Sequence, residues 1–108
     1  MEISLGMSES SAASTGWRGS PVGNQMKSTS GWNQNGNGSN SSGFTGLPGG
    51  SCDSGGFDAD GYVGDWWSAS ESGSDSWTRL LNNSNVYYTV YRDRYSQDHG
   101  FSARCVRD

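Results

Sequence analysis

The residues best equipped for chemistry lie between Trp77 and His99. Asn82-Asn83-Ser84-Asn85 is followed by Tyr87, Tyr88, Tyr91, Arg92, Asp93, Arg94, Tyr95 and Gln97. Tyrosine offers a large contact area for little lost side-chain freedom, and Asn and Ser add adaptable hydrogen bonds. Arginine contributes a planar fork of donors that also stacks on rings. These types in one run point to recognition of a ligand rather than to its conversion. The candidate contact residues are Asn82, Asn83, Asn85, Tyr88, Tyr91, Arg92, Asp93, Arg94, Tyr95 and Gln97. The plainer reading is a sheet edge with a polar, solvated face. Val86 and Val90 are expected to mark the inward side, with one or two of the tyrosines in the core.

Catalysis finds little support. A nucleophilic Ser needs a base within reach, and the one histidine, His99, sits in Ser96-Gln97-Asp98-His99-Gly100, which reads as a solvated turn. Asp53, Asp58 and Asp60 lie in a Gly-rich loop with no apolar pocket to raise a carboxyl pKa. The same three could offer oxygen ligands to Ca²⁺, yet the regular ligand series of an EF-hand is absent, so solvated loop acids are the simpler expectation. Cys52 and Cys105 lack metal-ligand spacing. They allow one disulfide or two separately buried thiols, the latter being the plainer expectation. No catalytic residue, metal or cofactor is expected.

The elements that must position these residues belong to a chain of 108 residues, room for one domain spanning 1–108. Gly 17 and Ser 21 lean toward disorder, but five Trp, five Tyr and three Phe supply large burial anchors. Residues 1–78 hold Arg18 and Lys27 against eight acids, a balance of −6, and residues 79–108 hold five Arg against three Asp, a balance of +2. That basic end is too diluted by acids to make a nucleic-acid stripe. No apolar run is long enough to cross a membrane, and no signal peptide opens the chain.

Met1-Glu2-Ile3-Ser4-Leu5 reads as the end of an amphipathic helix. Ser8 or Ser10 then caps a short helix through Ala12 and Ala13 that Gly16 closes. Pro21 to Lys27 adds a helical turn, and 28–42 reads as a surface loop in which only Trp32 merits burial. Ser51 to Gly61 reads as a second loop. Strands are expected over Tyr62 to Ser70, Trp77 to Leu81, Val86 to Tyr95 and Phe101 to Val106, the last alternating Phe101, Ala103 and Cys105 with polar neighbours. Helices first and strands later indicate an α+β fold with a small antiparallel sheet.

Four phrases occur in order along nearly the whole chain. They are Thr15-Gly16-Trp17-Arg18-Gly19, Ser41-Ser42-Gly43-Phe44-Thr45-Gly46-Leu47-Pro48-Gly49-Gly50, Trp66-Trp67-Ser68-Ala69-Ser70-Glu71, and Gly100-Phe101-Ser102-Ala103-Arg104-Cys105-Val106-Arg107-Asp108. Together they resemble the Fibrobacter succinogenes major paralogous domain family of bacterial surface proteins and lipoproteins. The resemblance implies a C-type lectin-like fold, related to formylglycine-generating enzymes and to retroelement-diversified variable proteins, with a C-terminal strand in the central sheet. It also implies a strand and most of a helix ahead of Leu5-Gly6-Met7-Ser8, so that the chain would be the C-terminal portion of a longer domain.

Family members usually place an aromatic and a basic residue after Leu-Pro-Gly-Gly, where Ser51 and Cys52 stand here. The cysteines of the copper-dependent relatives have no counterpart pair. The run from Asn82 to Gln97 corresponds to the stretch that retroelements diversify, and its Asn, Tyr and Ser resemble the output of adenine-directed mutagenesis. The expectation is therefore a non-enzymatic module, extracellular or at the cell surface, for a protein or glycan ligand. A spacer domain with no ligand of its own is the alternative.

Overall fold

The computed structural model describes residues 1–106. Two short helices and six strands follow in chain order: α1 (Glu9–Ala13), β1 (Gly16–Arg18), α2 (Val22–Met26), β2 (Ser51–Asp53), β3 (Gly56–Asp58), β4 (Val63–Ser72), β5 (Asp75–Asn82) and β6 (Val90–Ser96). The fold is mixed α+β. Strands β1, β6, β5 and β4 form one antiparallel sheet in that order, and β2 pairs with β3 as a separate hairpin. No helix among the described residues is long and apolar enough to cross a membrane.

The first fifteen residues divide where glycine permits. Ile3–Leu5 is one 3-10 turn, ended by Gly6 at φ 106, a left-handed conformation that only glycine adopts at little cost. The Ser8 hydroxyl then accepts from the Ser11 N–H and caps α1, as Ser at that position should. Helix α1 ends at Ser14 rather than at Gly16, because Gly16 already belongs to β1.

Strands β4 and β5 turn through Gly73-Ser74, with Gly73 at φ 64. Residue alternation gives their sheet two faces. Trp66, Arg79 and Arg92 stand in register on the inner face, with Leu81, Val90 and Arg18 beyond them. Here the core assembles from Met7, Val22, Met26, Trp32, Phe44, Trp66, Leu81 and Val90. The Trp32 indole N–H donates to the Ser28 hydroxyl and to the Gly46 carbonyl, so this ring can be buried without an orphaned donor. Trp32 thereby pins the Ser/Asn/Gly segment, whose Gln34, Asn35 and Asn40 take positive φ, a conformation Asn tolerates better than most residues.

Four expectations are corrected. Phe101 to Val106 is not a strand: only Ser102 makes a parallel bridge, to Trp66 at the edge of β4, and every residue after Phe101 to Val106 is exposed. The third expected strand starts at Val90 instead of Val86. Val86 is 68% exposed, because its N–H and that of Tyr87 donate to the Ser84 hydroxyl in a turn before the sheet begins. The expected loop from Ser51 to Gly61 contains the β2–β3 hairpin. Finally, Cys52 and Cys105 are free thiols and both are exposed, not buried.

Candidate functional site

Strand β6 divides the expected contact residues between the two faces of the sheet. Val90, Arg92 and Arg94 point inward, whereas Tyr91, Asp93 and Tyr95 point outward. On the inner side Arg92 is committed to the fold. Its guanidinium lies over the Trp77 ring, and Nη1 donates to the Ala13 and Ser14 carbonyls at the end of α1. Burial, ahead of the neighbouring Arg79 charge, lowers its pKa. Arg94 is exposed and donates to the Ser72 hydroxyl.

The loop residues form a separate end of the molecule. The fully buried Lys27 ammonium donates to the Asn82 and Ser84 carbonyls. The Asn82 side chain accepts from the Ser84 N–H, and Asn83 donates to Gln34. The Tyr88 carbonyl receives the Gly23 N–H. Gly23 has no room for a side chain, since a Cβ would stand 2.4 Å from the Thr89 carbonyl oxygen. Asn85 and Tyr87 are left exposed. The asparagines here therefore build a turn, and Asn85 and Tyr87 are its accessible tips.

The outer face brings together residues far apart in the chain. Asp65, Leu80, Tyr91 and Trp17 lie in one register row, and Trp67, Thr78 and Asp93 in the next. Trp17 is 47% exposed and packs on Tyr91 with ring centroids 5.1 Å apart. The Tyr91 hydroxyl donates to the Asp93 carboxylate at 3.0 Å, which raises the Tyr91 pKa. Farther along, Phe101 contacts the rings of Trp67 and Tyr95, and His99 packs against Tyr95 and Phe101. His99 does sit in a turn, and its ring, 31% exposed, is partly shielded by these neighbours. Gln97 reaches back from its turn to the Ser76 hydroxyl.

Beneath this cluster lies Asp65, 4% exposed, with Oδ1 lacking a hydrogen-bond partner among the described residues. Burial pushes its pKa up to about 7, against a smaller downward pull from His99. No recognition or catalytic motif had marked this residue. The available signal was an acid set directly before Trp66-Trp67 in a strand rich in large rings.

The Asp53 carboxylate accepts from the Gly55 N–H, and that of Asp58 from the Ala59 N–H, both in turn geometry. Among the described residues no three His, Cys, Asp or Glu side chains gather as a metal site would require.

The model of the Fibrobacter succinogenes major domain matches residues 1–107. The chain belongs to that family. No curated protein and no solved structure matches it. In this Fibrobacter succinogenes major domain, the family phrases occupy defined structural places. Trp17 of the first phrase lies on the outer face, and Arg18 is buried against Glu2 and the Val90 carbonyl. Phe44 of the second meets Trp66 of the third edge to face at 5.4 Å, a favourable arrangement for two rings. The phrase ending the chain supplies Phe101 to the outer face and Ser102 to the edge of β4.

Proposed function

We propose that this domain is a non-enzymatic ligand-binding module of a bacterial surface or secreted protein, with a C-type lectin-like fold. Its contact surface is the outer sheet face around Trp17, Tyr91, Asp93 and Tyr95, with Asn85 and Tyr87 as accessible tips at a separate end. One observation carries the reading. The half-exposed Trp17 is held on Tyr91, whose hydroxyl is fixed by Asp93, so an aromatic patch with a polar margin stands at the surface with its rotamers already restricted. Such preorganised rings bind with little further loss of freedom. A protein or glycan ligand fits this chemistry, because rings stack on apolar or sugar faces while Asp93 accepts hydrogen bonds.

The experiment is a glycan microarray and a bacterial-surface protein panel, probed with the wild type and with Trp17→Ala/Tyr91→Ala. Binding that the double variant loses, while its circular dichroism is unchanged, supports the reading. No ligand on either panel, or a ligand held equally by both proteins, favours a spacer domain.

The composition of the Asn82–Gln97 run also fits retroelement diversification. On that reading, sequences from a natural population vary at adenine-rich codons of outward or exposed positions such as Asn85, Tyr91 and Tyr95. Val90 and Arg92 stay fixed, being committed to the core and to α1. An invariant run would remove diversification from the account.

A further inference from the structure

A groove opens between the first residues of the chain, β4 and β5 around Trp66, Trp67 and Arg79, and the C-terminal segment. It encloses about 390 Å³, and Phe44, Trp66, Ile3 and Val106 supply apolar walls. A second hollow of about 460 Å³ shares Phe44, Trp66 and Arg104 with it. Volumes of this order suit a small organic molecule.

The charge beside these walls is one-sided. The Glu2 carboxylate is the acid of the groove, and both its oxygens are occupied, one by Arg18 at 2.8 Å and the other by Arg79 at 2.5 Å. Arg79 and Arg104 thus face the groove with Glu2 as its one acid, an excess of one positive charge on the lining, while Arg18 pairs with the same carboxylate. Burial lowers the Arg18 pKa against the opposing pull of Glu2, and Arg79 and Arg92 add smaller downward effects. Arg104 is exposed, lies 5.9 Å from the Phe44 ring centre, and has no ion pair among the described residues. Arg79 keeps 26% of its side chain accessible.

The geometry points to this groove as a binding site for a small organic carboxylate with an aromatic or branched apolar body, its carboxylate held by Arg104 beside Arg79 and its body against Phe44 and Trp66. A guanidinium pairs with a carboxylate through two parallel hydrogen bonds. A site bounded by low-dielectric rings strengthens that attraction relative to open solvent. The site is independent of the outer-face reading and shares none of the contact residues assigned there.

The test is titration of the whole chain with 3-phenylpropionate and with its uncharged analogue 3-phenylpropanol, read by tryptophan fluorescence and by amide chemical shifts. Saturable binding of the acid is expected at up to millimolar concentrations, with shifts at Phe44 and Trp66 and weakening as salt is raised. Arg104→Gln should lower affinity by about tenfold, and Arg104→Lys by less. Arg104 is exposed, so both variants should keep the wild-type circular dichroism spectrum. Trp17→Ala/Tyr91→Ala should bind the acid normally, which separates this site from the outer face. Equal binding of acid and alcohol, undiminished binding by Arg104→Gln, or no saturable binding at millimolar acid overturns the proposal.

Discussion

The Arg92 guanidinium carbon stands 3.8 Å from the centre of the Trp77 ring, while Nη1 donates at 2.7 Å to the Ala13 carbonyl. One side chain thus joins β6, β5 and the end of α1. Its expected role is stability. Arg92→Ala removes a charged hydrogen bond and a cation–π contact, together about 2 kcal/mol. For a domain of this size that lowers Tm by roughly 10 °C. An unchanged Tm accompanied by lost ligand binding would return Arg92 to the contact surface.

Lys27 is the second internal tie. Its ammonium is buried and donates to the Asn82 and Ser84 carbonyls, and desolvation lowers its pKa. Lys27→Met preserves much of the side-chain volume but leaves two carbonyls without their donor. The expected loss is about 2–4 kcal/mol. Hydrogen exchange should accelerate from Ser84 to Tyr88 before it does so in β5. Uniform acceleration through the sheet would deny the loop its dependence on Lys27.

Asp65 makes stability depend on pH with a definite sign. Its folded pKa of about 7 lies above the ordinary value of 3.8. Between those two values the folded chain keeps a proton that the unfolded chain has released. The Asp65 contribution is therefore most favourable at low pH, falls as pH rises through this window, and levels off above pH about 7. Asp65→Asn should match the wild type near pH 4 and exceed it near pH 8, by on the order of 2–4 kcal/mol. Urea denaturation at pH 4, 6 and 8 measures the difference. Parallel profiles for the two proteins would show that Asp65 ionises without opposition.

Cys52 and Cys105 are exposed and unbonded. A thiol reagent such as DTNB should therefore modify both rapidly in the folded chain, with no denaturant present. Protection of either until the protein unfolds would place it inside, or in a disulfide.

Much of the α+β frame was legible because it rests on local rules. Ser8 or Ser10 marked the start of α1, and the Trp-bearing runs Tyr62 to Ser70 and Trp77 to Leu81 marked β4 and β5. Trp32 stood out as the one ring worth burying in a polar segment. Three features depended on partners remote in sequence. Strand β1 has only three residues and exists because β6 receives it. The β2–β3 hairpin is made of Ser, Asp, Gly and Cys beside Phe57, which is itself 67% exposed, so no apolar period marks it. The alternation of Phe101, Ala103 and Cys105 signalled a strand, but the chain meets the edge of β4 only at Ser102 and then leaves it.

The candidate surface was legible in its residue types and not in its geometry. Period two already separates Tyr91, Asp93 and Tyr95 from Arg92 and Arg94, and Val90 shows which set faces in. What the run could not reveal was Trp17, 74 positions before its register partner Tyr91, or the Glu2 carboxylate that ties together Arg18 and Arg79.

The pairing of β1 with β6 also governs how the chain reaches its native state. The β4–β5 turn closes over two residues and β6 can add to it early, but residues 16–18 must find residues 90–92 across most of the polypeptide. Closing so long a loop is entropically costly before the contact rewards it. Docking of β1, with Trp17 onto Tyr91, is accordingly a late event in folding. Substitutions at Trp17 should then speed unfolding while leaving the folding rate nearly untouched.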